Sequence, residues 1–281
     1  MSAYQLKIIA LICMTIDHIG AYGFEIPIIG QYYSFFRSIG RLAAPIFLFV
    51  LCESIRHTKS KKHFLLRLYL TGVAVGIFFT IFNLLFGSQV GYYTYSNTLF
   101  TFMYVVLFVQ CLETAKLTVR KRDLHHCKNL AFLLLLLTLP SLMYSLSIQC
   151  VSTNMPSEYR LLLHSAILSI FPSVLHIDYG FTFVILGALI YFAKTKKKQC
   201  ATLGLFCCVC IIGANIARQN PELYVGSSFA STFFDFRQCL MIFSLIPIAL
   251  YNGTKGRGGK IAFYLYYPIH QVVITFISSL I

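Results

Sequence analysis

Residues 6–24 read LKIIALICMTIDHIGAYGF. A helix over this stretch reaches about 28 Å, close to the roughly 30 Å of hydrocarbon in a bilayer, and a helix satisfies its own backbone hydrogen bonds there. Asp17 and His18 interrupt the apolar run and no small-residue cleavage site follows, so the segment is expected to stay in the protein as a helix and not to be removed as a signal peptide. Similar apolar stretches recur at about 41–57, 65–87, 97–114, 130–150, 160–176, 179–193, 199–217, 237–252 and 261–281. The expected fold is all-α: a polytopic integral membrane helical bundle of about nine to ten transmembrane helices, one domain over residues 1–281, with a cytoplasmic amino terminus.

The composition agrees. Hydrophobic residues make up 58% of the 281 and charged residues 11%, so a soluble globule is excluded. The net charge of +14 sits in short runs between apolar stretches, not on a polar face with stacking aromatics, which sets nucleic-acid binding aside. Segments 56–67, 116–128, 194–198 and 255–260 hold 17 of the 23 cations, and Lys7 joins them. Arg37, Arg41, Arg160, Arg218 and Arg237 fall on the other side, and this asymmetry orients the chain. Ten full spans would put the 194–198 run on the wrong side, so one segment must fold back. That segment is 160–176, which carries Arg160, His164, Pro172 and His176 and is read as re-entrant or surface-lying.

Ionisable residues deep in a bilayer cost about 2.5–3.5 kcal/mol on insertion scales and need a partner, a cavity or a task. His18 lies eleven residues past Lys7, roughly 16 Å deep, beside Asp17. His270 lies ten residues past Lys260, roughly 15 Å from the same side. Two imidazoles from opposite ends of the chain therefore reach one level. Thr15 and Tyr22 flank His18 at helical spacing, while Lys260, Tyr264, Tyr267 and Gln271 lead along the last helix to His270, where Pro268 frees a carbonyl. The plainer reading is a set of inter-helical hydrogen bonds.

Other polar residues are read similarly. Arg41 opens the second span and suits a snorkelling interfacial position as well as a functional one. Glu53 with Arg56 and His57 is expected to form a local ion pair. Asn97, Thr101 and Tyr104 share one helix face and Asp178 opens a later span; these can line a substrate cavity or tie helices together. The loop from Asn252 to Lys260 holds four glycines and the cations Lys255, Arg257 and Lys260, which suits a phosphate at the mouth of the helix bearing His270. The ten cysteines lie mostly within apolar runs, so neither a disulfide framework nor a metal site at Cys207, Cys208 and Cys210 is expected.

Four stretches carry a resemblance: LKIIALICMTIDHIGAYGF at 6–24, RSIGRLAAPIFLFVLCESIRHT at 37–58, DYG at 178–180 and YNGTKGRGGKIAFYLYYPIH at 251–270. They resemble the TraX family across nearly the whole chain. The IDHIG, IGRxAxPIF, DYG, YNG and YPxH motifs fall on Ile16–Gly20, Ile39–Phe47, Asp178–Gly180, Tyr251–Gly253 and Tyr267–His270. Ala44 stands where phenylalanine is usual in the family, and Gln271 where an apolar residue is common. The resemblance implies a multi-pass enzyme of the bacterial inner membrane that acetylates the amino terminus of a pilin, similar to the multi-span membrane acyltransferases that draw on cytoplasmic acyl-CoA.

On that basis the expected partners are membrane lipid, acetyl-CoA as donor, and a peptide amine or glycan as acceptor, with no metal and no nucleic acid. Donor phosphates would lie near Lys255, Arg257 and Lys260, with Asn252 and Tyr264 beside them. His18, oriented by Asp17, would act as base, because an imidazole titrates near neutrality; Tyr267, His270 or Arg41 would stabilise the oxyanion, and Asn97 and Asp178 would hold substrate. Direct transfer and an acetyl-histidine intermediate both remain open. The alternatives are a proton-coupled transporter or flippase, which lacks the expected repeat of interrupted helices, and a non-catalytic structural subunit.

Overall fold

The computed structural model describes residues 1–91, 97–149, 155–220 and 236–280, which are helical with no strand among them. In chain order the helices are α1 (Ala3–Tyr22), α2 (Pro27–Gln31), α3 (Tyr33–Gly40), α4 (Ala43–His57), α5 (Lys61–Val90), α6 (Thr98–Lys121), α7 (Leu124–Gln149), α8 (Ser157–Ile170), α9 (Gly180–Phe192) and α10 (Lys196–Gln219). A 3₁₀ segment Phe236–Ser244 runs into α11 (Leu245–Ala249), and α12 is Lys260–Leu280. Seven helical stretches are long and apolar enough to cross a membrane: 3–22, 33–57, 61–90, 98–121, 124–149, 196–216 and 261–280. The protein is a membrane protein of the helical class. Two shorter apolar stretches, 180–192 and 236–249, add to these. The 3₁₀ geometry of the second rises about 2.0 Å per residue, which stretches a short segment toward the bilayer thickness.

Helix starts follow their caps. Ser2 and Gln5 form a reciprocal capping box at α1, while Ser60 and Thr195 accept from the backbone N–H groups of His63 and Lys198 at α5 and α10. Two boundaries differ from the sequence expectation. The second span is not one helix from Arg41, because α3 ends at Gly40 and α4 begins at Ala43 with Arg41 at the junction. The expected 160–176 segment stops at Ile170, where Pro172 cannot continue the backbone ladder.

The chain forms two compact units, one of residues 1–56 and 189–281 and one of residues 57–188. In the first, the amino terminus pairs with the loop after α11. The N-terminal ammonium donates to the Leu250 carbonyl, and the backbone N–H groups of Ala3 and Tyr4 donate to Thr254 and Lys255. Lys196 donates to the Ala249 and Tyr251 carbonyls at 2.6 and 3.0 Å. Arg56 pairs with Glu53, as expected, and donates to the Ile190, Tyr191 and Ala193 carbonyls at 2.7, 2.6 and 2.9 Å. The basic ends of α1, α4, α9, α10 and α11 therefore gather on one side.

Between Arg56 and Ile190, α8 has 14 residues, carries Glu158, Arg160 and His164, and is not among the seven long apolar stretches.

Arg56 closes three carbonyls at the α9 terminus that lack helical partners. Arg56→Met is expected to lower unfolding stability by about 3 kcal/mol, through charge-assisted bonds worth about 1.5–3 kcal/mol each, offset in part by retained packing of the stem. Denaturant unfolding of the purified protein measures it.

In the second unit α5 carries the small-residue pair Gly72 and Gly76. A Cβ at Gly72 would stand 2.6 Å from Phe100 Cε1 on α6, and one at Gly76 would overlap the Ser169 hydroxyl on α8. Only glycine lets α6 and α8 approach α5 so closely. That approach brings Asn97, Phe100 and the 171–179 loop around one cavity.

Candidate functional site

The two deep histidines meet. His18 Nδ1 and His270 Nε2 are 2.7 Å apart, and the rings stack at 4.9 Å with a 14° angle. His270 stacks in turn on Tyr266 at 4.9 Å and 7°. Both helices belong to the first unit.

The hydrogen bonds fix where the protons sit. His270 Nδ1 lies 2.7 Å from the Tyr266 carbonyl, which can only accept, so Nδ1 carries the hydrogen. With one proton on each ring, His270 Nε2 is then the acceptor and His18 Nδ1–H the donor. The remaining lone pair of the relay is on His18 Nε2, which makes no hydrogen bond among the described residues. A second chain secures Tyr266: Thr15 donates to the Leu11 carbonyl at 2.9 Å, so the Tyr266 hydroxyl donates to Thr15 Oγ1 at 2.6 Å. The arrangement is a base whose tautomer is dictated from behind, with His270 in the position a carboxylate holds in other relays.

Asp17 does not orient His18. Successive helical residues point about 100° apart, and the Asp17 carboxylate takes Arg37 Nη1 at 2.7 Å, in a pair about one-fifth exposed. A Cβ at Gly40 would collide with the Asp17 side chain, so the glycine at the end of α3 is what lets α3 lie against α1 here. Arg41 and Arg237 also act on Asp17 electrostatically, and Arg37 acts on His18. Arg37 Nε is buried with no hydrogen-bond partner. One carboxylate thus anchors a group of three arginines beside the histidine pair.

Of the other expected site residues, Tyr267 is buried, its ring 6.4 Å from that of His270. Tyr264 is half-buried on α12. Asn252 accepts from the Thr254 N–H and hydroxyl and shapes the loop, and Lys255 and Arg257 are exposed on it. Lys260 begins α12, and its side chain lies outside the described residues. Asn97 and Asp178 belong to the second unit, where both line its cavity. Among the cysteines, Cys150 lies outside the described residues, and no disulfide joins those that are described.

Sequence reasoning missed Tyr266 and Arg37. Tyr266 is one turn before His270, and Arg37 one turn before Arg41; that spacing is the signal that pointed to them.

The TraX protein family profile matches residues 2–278. The chain belongs to the TraX family. It is 25% identical over 287 residues to a protein of Dichelobacter nodosus named probable fimbrial assembly protein FimC, serogroup H1, covering 97% of this chain and 94% of the relative. No solved structure matches the chain. In this member of the TraX family the IDHIG and YPxH motifs supply the two stacked imidazoles, and IGRxAxPIF supplies Gly40 and Arg41 beside Asp17.

Proposed function

We propose that this TraX-family protein is a membrane acetyltransferase that moves the acetyl group of acetyl-CoA to an amine. The observation that carries the proposal is the proton relay from the Tyr266 carbonyl through His270 to His18, which leaves a basic nitrogen at the level of two converging helices. The fimbrial assembly name of the Dichelobacter relative favours a fimbrial subunit's amino terminus as acceptor over a glycan.

In this reading a neutral amine attacks the thioester carbonyl carbon while His18 Nε2 takes its proton. The C–S bond then breaks, the thiolate receives that proton from His18, and the products are the acetamide and CoA thiol. Positive charge on His18 is spread through Nδ1–H toward His270 and the Tyr266 carbonyl. His270 has both nitrogens engaged, so it orients and does not donate to the oxyanion. Arg37 Nε–H, with Asp17 anchoring the guanidinium, and Tyr267 are the candidate oxyanion donors. Lys255 and Arg257, exposed on a loop bent by positive φ at Gly253, Gly256 and Gly259, suit the donor's phosphates.

The test is transfer of radiolabelled acetyl from acetyl-CoA by protein reconstituted in vesicles, offered a fimbrial-subunit amino-terminal peptide or an amino sugar. Label in the peptide supports the proposal. Label in neither, with acetyl-CoA left intact, overturns it. Uptake of a solute driven by a pH gradient without acetyl-CoA consumption replaces it with transport.

A further inference from the structure

Beyond His270, α12 turns two different faces outward and inward. Ile269, Val273, Phe276 and Ile277 are exposed, as side chains facing lipid are. On the other side Gln271 and Thr275 are fully buried, and the half-buried Ser278 continues their line toward the end of the helix. Among the described residues, neither Oε1 nor Nε2 of Gln271 has a hydrogen-bond partner, and neither does Thr275 Oγ1. A threonine in a helix commonly returns its hydroxyl to the carbonyl four residues back, as Thr15, Thr118 and Thr138 do here. Thr275 does not. Hydrocarbon offers no substitute for lost hydrogen bonds, so buried donors and acceptors in a spanning helix call for an occupant that supplies them.

Their position relates them to the histidine pair. Gln271 directly follows His270, whose ring nitrogen lies 2.7 Å from His18. Thr275 and Ser278 lie further along α12, away from the 252–260 loop proposed to meet the donor's phosphates. The polar line thus leads from the histidines toward the end of α12 opposite that loop.

The chemistry of the line matches a polypeptide backbone. A carboxamide holds an acceptor and a donor side by side. In an extended chain the N–H and C=O of one residue point to the same side, so the two groups of Gln271 can meet both. The next residue with that orientation comes two positions on, about 6.7 Å away. Gln271 and Thr275 are four residues apart, a rise of about 6 Å along α12, and a hydroxyl both donates and accepts. An alkylamine would leave Gln271 as unmet as before, and a sugar carries hydroxyls but no such repeat.

We propose that the inner face of α12 binds the extended backbone of a peptide acceptor. Gln271 holds the N–H and C=O of the peptide's second residue, Thr275 meets its fourth, and the terminal amine is delivered to His18. Gln271 therefore selects peptide amines from other amines. The inference rests on the acetyl-transfer reading for the fate of the amine, whereas binding itself needs no acyl donor.

The experiment compares tetraalanine amide with a depsipeptide in which an ester oxygen replaces its first peptide N–H. Binding is read from thermal unfolding of the purified, detergent-solubilised protein without acetyl-CoA, and radiolabelled acetyl transfer is measured on the same preparations. The expected result is a saturable rise in the unfolding midpoint with the peptide and an apparent Kd about tenfold weaker for the ester. Gln271→Met is expected to be at least as stable as the native protein, because it removes two unmet groups from the interior, and to bind amide and ester equally. Its KM for the peptide should rise about tenfold while that for acetyl-CoA holds. The amide and ester comparison in the native protein decides alone if Gln271→Met does not fold. Binding that depends on Gln271 without any acetyl transfer keeps this inference and removes the acetyl-transfer reading. Transfer with equal KM for amide and ester, or a Gln271→Met protein that keeps the native preference, leaves that reading and overturns this inference. Glucosamine or hexylamine binding as tightly as the peptide, or no response to the peptide, as a face holding only water would give, also overturns it.

Discussion

In the proposed acetyl transfer, His18→Ala protein is expected to act about 10²- to 10⁴-fold more slowly than the native protein, the range typical of a positioned general base, with little change in the KM for the acyl donor. The loss should fall on kcat because His18 Nε2 is the one relay nitrogen left with a lone pair, and the cations of the 252–260 loop proposed to meet the donor's phosphates are untouched. His270→Ala tests a different claim. It leaves His18 Nε2 in place but removes the acceptor that holds the hydrogen on Nδ1, so the ring is no longer committed to the reactive tautomer or the stacked orientation. A smaller loss, about 10- to 100-fold, is expected. His270→Asp should recover part of it, since a carboxylate also accepts from Nδ1–H. Steady-state rates at saturating donor, with folding checked by circular dichroism, measure all three. Native rates in a folded His18→Ala protein would remove the histidine from the chemistry. If Asp at position 270 were no better than Ala, the orienting role would fail.

The sequence announced the helices because the bilayer demands a length that few other structures need, and stretches such as 65–87 and 130–150 meet it without interruption. It also brought His18 and His270 to one level, since depth in a helix is a count of residues from a cationic anchor. What it hid was lateral. Depth arithmetic does not say which way a side chain turns, so Asp17 was paired with its neighbour His18, when a 100° step along α1 aims it at Arg37. Arg37 itself looked like an outer-loop cation, because the break between Gly40 and Ala43 that makes α3 a separate helix leaves no proline or charge run to mark it. The Tyr266 contribution comes from a backbone carbonyl, which every residue has, and no residue type signals it. The hold of Arg56 on the end of α9 is a contact across 134 residues that only the folded chain reveals.

Asp17→Ala is expected to cost about 3 kcal/mol of stability, more than Arg37→Ala, and the asymmetry is the informative part. Removing Arg37 leaves Asp17 beside Arg41 and Arg237, both of which act on it electrostatically, so the carboxylate retains compensation. Removing Asp17 takes the carboxylate away from Arg37, whose Nε is already buried with no hydrogen-bond partner. Breaking a buried pair from one side costs about 3–5 kcal/mol because a charge is stranded, and the one-fifth exposure of this pair places the expected loss at the low end. Asp17→Leu combined with Arg37→Met should recover much of the loss, since replacing both charges by apolar groups of similar volume is often close to neutral for stability. Activity should not recover with it, because the double variant lacks the guanidinium proposed to meet the oxyanion. Denaturant unfolding and acetyl transfer measured on the same four proteins therefore separate two roles. Recovery of stability without activity assigns Arg37 to the reaction and Asp17 to holding it. Recovery of both would make the pair a helix tie between α1 and α3 and leave Tyr267 as the oxyanion donor.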